Sequence, residues 1–64
     1  MSQTVDQIAT AIAQLQLEDA KFEKGNNSAG TRARKVLQEI AKLAKVRRAE
    51  ISETRIARKE AKVG

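Results

Sequence analysis

Apolar residues recur at helical spacing in the first third of the chain. They follow one another in steps of 3, 4, 3 and 7 residues, at Val5, Ile8, Ile12, Leu15 and Phe22. Because this spacing places them on one side of an α-helix, we predict a first helix over about residues 2–24. Ser2 or Thr4 can cap its start.

A second stripe of helically spaced residues lies further along the chain. Its members are Val36, Leu37, Ile40, Leu43, Ala44 and Ile51, extended by Ala33 and Thr54. We therefore predict a second, longer helix over about residues 28–61. The turn between the helices, residues 25–28, begins with Gly25, which suits the left-handed residue that ends a helix. Asn27 or Ser28 can then cap the second helix.

A connection this short brings the helices together as an antiparallel hairpin, so the predicted fold is a single all-α domain over residues 1–64. Asp19 interrupts the first apolar stripe and would lie opposite Arg32 or Arg34. An ion pair there could set the register of the hairpin, and a solvated Asp19 is the alternative. Gly30 permits a close approach, either of the first helix or of a phosphate.

A chain of 64 residues hides only about 60% of its unfolded surface when it folds, and small folds usually need a disulfide, a metal or a partner chain. The sequence has no Cys and no His, which excludes disulfides and nearly all transition-metal sites. We therefore expect self-association into a coiled-coil-like oligomer. Two hairpins forming a dimeric four-helix bundle is the smallest closed arrangement.

The composition also argues against several functions. Without His, Cys or a clustered carboxylate pair, the chain lacks the usual groups of an enzyme, so we expect no catalysis, no cofactor and no small-molecule substrate. No apolar run approaches the roughly 18 residues of a membrane span, and no secretory signal is visible. We expect a cytoplasmic protein.

The charge is divided between the two halves of the chain. Residues 1–24 carry two basic and four acidic side chains, a net −2, whereas residues 25–64 carry eleven basic and four acidic ones, a net +7. On a helical projection, one side of the second helix holds basic residues without any acid. These are Arg34, Lys45, Arg48, Arg55 and Lys59. The other flank mixes Lys35 and Lys42 with glutamates. Such segregation indicates a polyanionic partner.

Phosphate contact is the favoured mode of binding. The one aromatic residue, Phe22, belongs to the apolar stripe, so bases of a single strand have nothing to stack on. Free N–H groups at the start of the second helix, near Thr31 and Arg32, could also donate hydrogen bonds to a phosphate.

Residues 22–53 read FEKGNNSAGTRARKVLQEIAKLAKVRRAEISE. This stretch resembles the bacterial linker-histone-like family of nucleoid DNA-binding proteins, whose core shows K-G-N, A-G-T-R-x-R-K, L-Q-E-I-x-K-L-A-K and R-x-E-I. The resemblance implies DNA binding and compaction. The matched basic positions are Arg32, Arg34, Lys35, Lys42 and Lys45. Well-known members carry a long tail rich in Lys, Ala and Pro; this sequence ends at Gly64, so we expect oligomers to supply the multivalency instead.

We therefore expect a histone-like, nucleoid-associated protein that binds double-stranded DNA with little sequence preference and helps to organise it. The predicted contacts lie on the second helix, at Thr31, Arg32, Arg34, Lys35, Lys42, Lys45, Arg48, Arg55, Arg58 and Lys59. Two alternatives remain open. One is an RNA-binding hairpin dimer, similar in size and layout to the plasmid regulator Rop. The other is a coiled-coil interaction module with an acidic protein partner.

Overall fold

The computed structural model describes residues 2–62, which form two helices and no strand. Helix α1 spans Gln3–Glu23 and helix α2 spans Asn27–Lys62. They pack antiparallel, and the molecule extends 60 × 17 × 12 Å along its principal axes. The prediction of an all-α chain with two helices, the second longer, is confirmed. Residues 1 and 63–64 of the predicted domain lie outside the described residues. Neither described helix is long and apolar enough to cross a membrane.

The chain reverses direction through a tight helix C-terminus centred on Gly25. This glycine has a φ of +103°, the left-handed conformation predicted for it. Its N–H donates to the carbonyl of Phe22 at 2.9 Å, and the N–H of Asn26 donates to the carbonyl of Lys21 at 3.1 Å. These two bonds satisfy carbonyl groups that the end of α1 would otherwise leave unpaired.

Polar side chains cap the starts of both helices. Ser2, one of the two predicted caps for α1, accepts a hydrogen bond from a backbone N–H of the first turn at 3.3 Å. At α2 the cap is Asn26, whose Oδ1 accepts from the N–H of Ala29 at 3.1 Å. The prediction of Asn27 or Ser28 as this cap is wrong. Because the turn closes within three residues, Asn26 can end one helix with its backbone and start the next with its side chain.

The helices meet along a line shifted by one residue on α1 from the predicted stripe. On α1 the buried residues are Thr4, Ala11 and Glu18, with half-buried Ile8 and Leu15 between them. On α2 the facing residues are Ala29, Ala33, Val36, Ile40, Leu43, Arg47 and Glu50. We refer to this double row as the seam. Three members of the predicted stripe, Val5, Ile12 and Phe22, remain 42% to 47% exposed.

Small side chains explain where the seam lies. Alanines occupy three of its six buried positions, so the two backbones can approach closely. At Gly30 an added Cβ would stand 2.6 Å from Cδ1 of the Phe22 ring. The missing side chain at Gly30 therefore makes room for α1, which decides between the two roles expected for this glycine. No large side chain among the described residues is fully buried, so the hairpin by itself has a thin core.

The predicted pairing of Asp19 is wrong. Asp19 is exposed, and Arg32 pairs instead with the preceding residue, Glu18, which lies buried in the seam. The shift of the seam by one residue accounts for the difference, because it turns Glu18 toward α2 and Asp19 toward solvent.

Candidate nucleic-acid interface

Five basic residues lie on the side of α2 that faces away from α1. All five are exposed: Arg34, Lys45, Arg48, Arg55 and Lys59. We refer to them as the cationic ridge. At 1.5 Å per residue the ridge is about 37 Å long, close to the roughly 34–36 Å of one turn of duplex DNA. Its length and single sign of charge suit a long, regular polyanion.

The glutamates of α2 lie away from the ridge. Glu50 belongs to the seam, where it accepts a hydrogen bond from Arg47 at 3.2 Å. Glu39, Glu53 and Glu60 follow the helical period on the flank opposite the ridge, so no acidic residue within residues 27–60 lies on the ridge. Lys35 and Lys42 lie on that same flank, because Lys35 and Glu53, like Lys42 and Glu60, are separated by five full helical turns. The sequence pattern had grouped the two lysines with the glutamates in the same way.

Arg32 differs from the other predicted contacts because it is already in an ion pair. Its Nε donates to the carboxylate of Glu18, and Nζ of Lys21 lies 3.6 Å from the second oxygen of the same carboxylate. The hydrogen bond from Arg32, together with the nearby positive charges, holds the pKa of Glu18 below its ordinary value, against the opposing effect of burial. The remaining donors of the guanidinium lie outside this bond, and the Arg32 side chain stays half exposed.

The structure thus divides the ten predicted contacts into groups. The ridge brings five of them together, and exposed Thr31 lies near its beginning. Lys35 and Lys42 are exposed on the flank that also carries the glutamates. Arg32 lies beside the seam at one end. Arg58 is exposed near the far end of α2, beyond the last hydrogen bond to α1.

The two broad faces of the hairpin, on either side of the seam, differ in polarity. On one face an open groove is lined by Gln3, Gln7, Gln14, Arg32, Lys35 and Glu39, among others. The three glutamines are polar neighbours of predicted contacts that sequence reasoning missed. Gln7 and Gln14 each precede a seam residue and are seven positions apart. This heptad spacing was the feature of the sequence that could have placed them together on one face of α1.

The opposite face carries apolar side chains that the hairpin leaves uncovered. Each directly follows a seam residue in the sequence, and each is 42% to 50% exposed: Val5, Ile12, Leu37 and Ile51. We refer to these four as the apolar flank. Because they project to the same side of two antiparallel helices, they form a strip along the hairpin.

Other kinds of site find no support within the described residues. No group of three or more potential metal-binding side chains occurs in residues 2–62. The groove on the polar face is wide open and mixes both signs of charge, so it does not resemble an enclosed small-molecule site.

Comparison with known proteins identifies one matching family. The family model described as histone H1-like protein Hc1 matches residues 2–57, which cover both helices almost completely. No curated protein and no solved structure matches the chain.

Proposed function

The chain belongs to the histone H1-like Hc1 family, and we propose from this premise that it binds double-stranded DNA through the cationic ridge. A histone H1-like protein is a structural DNA-binding protein, and the expected role is to organise DNA in the nucleoid rather than to catalyse a reaction. The single observation that carries the proposal is the ridge itself, five exposed basic side chains on one side of α2 without an acid among them.

Phosphate contact accounts for the proposed binding. Each Lys or Arg that neutralises a phosphate releases condensed counterions, so affinity falls as salt rises. If all five ridge residues engage, a plot of log affinity against log salt would have a slope of about −4.5. Contacts to the backbone carry no direct sequence information, so binding with little sequence preference is expected.

Self-association through the apolar flank is the second part of the proposal. The chain exposes 5511 Å² of surface, whereas a compact protein of its mass exposes about 4,000 Å². The excess is larger than the roughly 800 Å² that each partner contributes to an ordinary interface. A second hairpin laid against the apolar flank would cover Val5, Ile12, Leu37 and Ile51 and form a four-helix bundle.

This arrangement would leave part of the DNA-binding surface free. Arg34 and Lys45 lie about 60° and 80° from Leu37 around α2, so they stay in contact with solvent when two hairpins join through their apolar flanks. Arg48 and Arg55 point nearly the same way as Leu37 and would lie at the edge of the interface. One dimer would then offer two cationic surfaces, and multivalent contact of this kind would favour compaction of DNA.

Titration of labelled duplex DNA, structured RNA and heparin at several salt concentrations tests the proposed function. The informative variant is Lys45→Ala with Arg48→Ala, which removes two ridge charges. The matched control is Lys21→Ala with Lys24→Ala, which removes two charges from α1 and its end. We expect the ridge variant to lose duplex affinity and to flatten the salt slope by about 2, whereas the control keeps its slope.

Three results would contradict the proposal. Absence of duplex binding even at low salt would favour a protein-interaction module. A clear preference for paired RNA loops would favour an RNA-binding hairpin. Equal loss of affinity in the ridge variant and the control would mean that net charge, and not the ridge, attracts DNA.

A further inference from the structure

Helix α2 continues beyond its last hydrogen bond to α1. That bond is at Glu50, whose Oε2 accepts from the hydroxyl of Thr4 at 2.9 Å. From Ile51 to Glu60 every side chain is exposed. We refer to residues 51–60 as the arm. It is a single helix about 15 Å long and about 10–12 Å thick with its side chains.

The arm has a sharply divided charge pattern. At 100° per residue, its three basic side chains, Arg55, Arg58 and Lys59, fall within an arc of about 100°. Glu53 and Glu60 lie on the opposite side of the helix. Arg48, in the ridge of the paired region, falls inside the same arc. The ridge therefore continues onto the arm without interruption, while the acidic residues are turned away from it.

Beyond Ile51, which belongs to the apolar flank, the arm carries no apolar stripe for another helix. Ile51 and Ile56 are five positions apart, which places them about 140° from each other around the helix. A helical partner requires an apolar stripe with members three and four residues apart. The chemistry of the arm thus favours a polyanion over a second copy of the chain.

We infer that the arm enters the major groove of duplex DNA while the paired region of the hairpin follows the phosphates outside the groove. The inference rests on the proposed function and adds to it the mode of binding. The major groove of B-form DNA is about 12 Å wide, which admits one α-helix. Two paired helices measure about 20 Å across and do not fit. The arm is therefore the described part of the chain that is thin enough to reach base edges.

The orientation of the arm in the groove follows from its charges. Arg55, Arg58 and Lys59 face the groove, where they contact the phosphates of its walls and the acceptor atoms of guanine. Glu53 and Glu60 face solvent, away from the phosphates. A-form RNA has a major groove too narrow and deep for a helix, so the arm distinguishes duplex DNA from duplex RNA.

Duplexes with one groove blocked test the inference. The probes are a short cytosine-containing duplex, the same duplex with glucosylated hydroxymethylcytosine in its major groove, and the plain duplex with its minor groove occupied by netropsin. We expect glucosylation to weaken binding by about tenfold, the size of effect that follows from losing one good base contact. We expect netropsin to have little effect.

Variants with equal charge complete the test. Arg55→Ala with Arg58→Ala and Lys59→Ala removes three charges from the arm, and Arg34→Ala with Lys42→Ala and Lys45→Ala removes three from the paired region. Alanine favours helix at exposed positions, so both variants retain α2, as circular dichroism would verify. The arm variant becomes insensitive to glucosylation, whereas the paired-region variant binds more weakly but remains sensitive.

Two outcomes would overturn the inference while leaving DNA binding in place. One is equal affinity of the unaltered protein for the plain and glucosylated duplexes. The other is equal affinity for duplex DNA and duplex RNA. Failure to bind any duplex would instead refute the proposed function, and the inference with it.

Discussion

Arg32 on α2 donates a hydrogen bond from its Nε to the carboxylate of Glu18 on α1. The Glu18 side chain is only 9% exposed, whereas that of Arg32 is 49% exposed. A carboxylate held among the small side chains of the seam needs a cation at one position along the facing helix. The contact therefore specifies how far α2 is displaced along α1, as a single polar position does in other coiled coils.

Removing the charge of Glu18 should destabilise the hairpin. In Glu18→Gln the side chain keeps its size but cannot form an ion pair, so we expect a lower melting temperature in low salt. The difference from the unaltered protein should shrink in high salt, because screening weakens the original pair. Asp19→Asn is the matched control and should melt like the unaltered protein. If Asp19→Asn lowered the melting temperature more than Glu18→Gln does, Asp19 and not Glu18 would be the residue that faces α2.

The same pair should make stability depend on pH in the acidic range. The hydrogen bond from Arg32 lowers the pKa of Glu18 below its ordinary value of 4.5. A group with a depressed pKa stabilises the fold above its unfolded pKa and loses that contribution as the pH falls through the folded value. The stability gap between the unaltered protein and Glu18→Gln should therefore be constant near neutral pH and close below about pH 4.5. Urea titrations of both proteins across this range would measure it, and a gap that persists at the acidic end would contradict the assignment.

Gly30 should tolerate a side chain only when Phe22 is absent. A Cβ at this position would lie 2.6 Å from Cδ1 of the Phe22 ring, so the ring must move and lose packing. The clash with Phe22 lowers the stability of the hairpin, whereas the higher helix propensity of alanine raises it. We expect Gly30→Ala to destabilise the hairpin by about 1 kcal/mol in total. In a Phe22→Ala background the same change should stabilise by up to about 1 kcal/mol. A double-mutant cycle from urea unfolding measures the coupling energy between positions 22 and 30. If the effects of Gly30→Ala and Phe22→Ala on the free energy of unfolding simply added, the contact between these two positions would be contradicted.

The apolar flank should control the oligomeric state. Ile12→Gln with Leu37→Gln places amides in the proposed interface, and we expect dissociation to become easier by on the order of 100-fold. The matched control is Leu17→Gln with Val46→Gln, because both residues are exposed and lie outside the flank. Sedimentation equilibrium should give a dimer or larger assembly for the unaltered protein and the control. A monomeric mass for the unaltered protein would contradict self-association altogether.

Much of the fold could be predicted because it depends on local features. Gly25 was recognised as the left-handed residue because few other residues adopt that conformation without strain. The helices followed from apolar spacing and from the absence of proline. The basic side of α2 was also visible, since helical geometry alone determines which of its residues share a face.

The sequence by itself thus determined the two helices, the position of the turn and the side of α2 that carries the positive charge. Tertiary structure decided which of two adjacent rows on α1 meets α2. Apolar spacing favoured the row of Val5 and Ile12, but the row of Thr4, Ala11 and Glu18 is the one that is buried. The reason is packing: the smaller side chains let the backbones approach, and the pair between Glu18 and Arg32 fits only in that register. The same one-residue choice leaves Val5 and Ile12 on an exposed flank and turns Asp19 toward solvent.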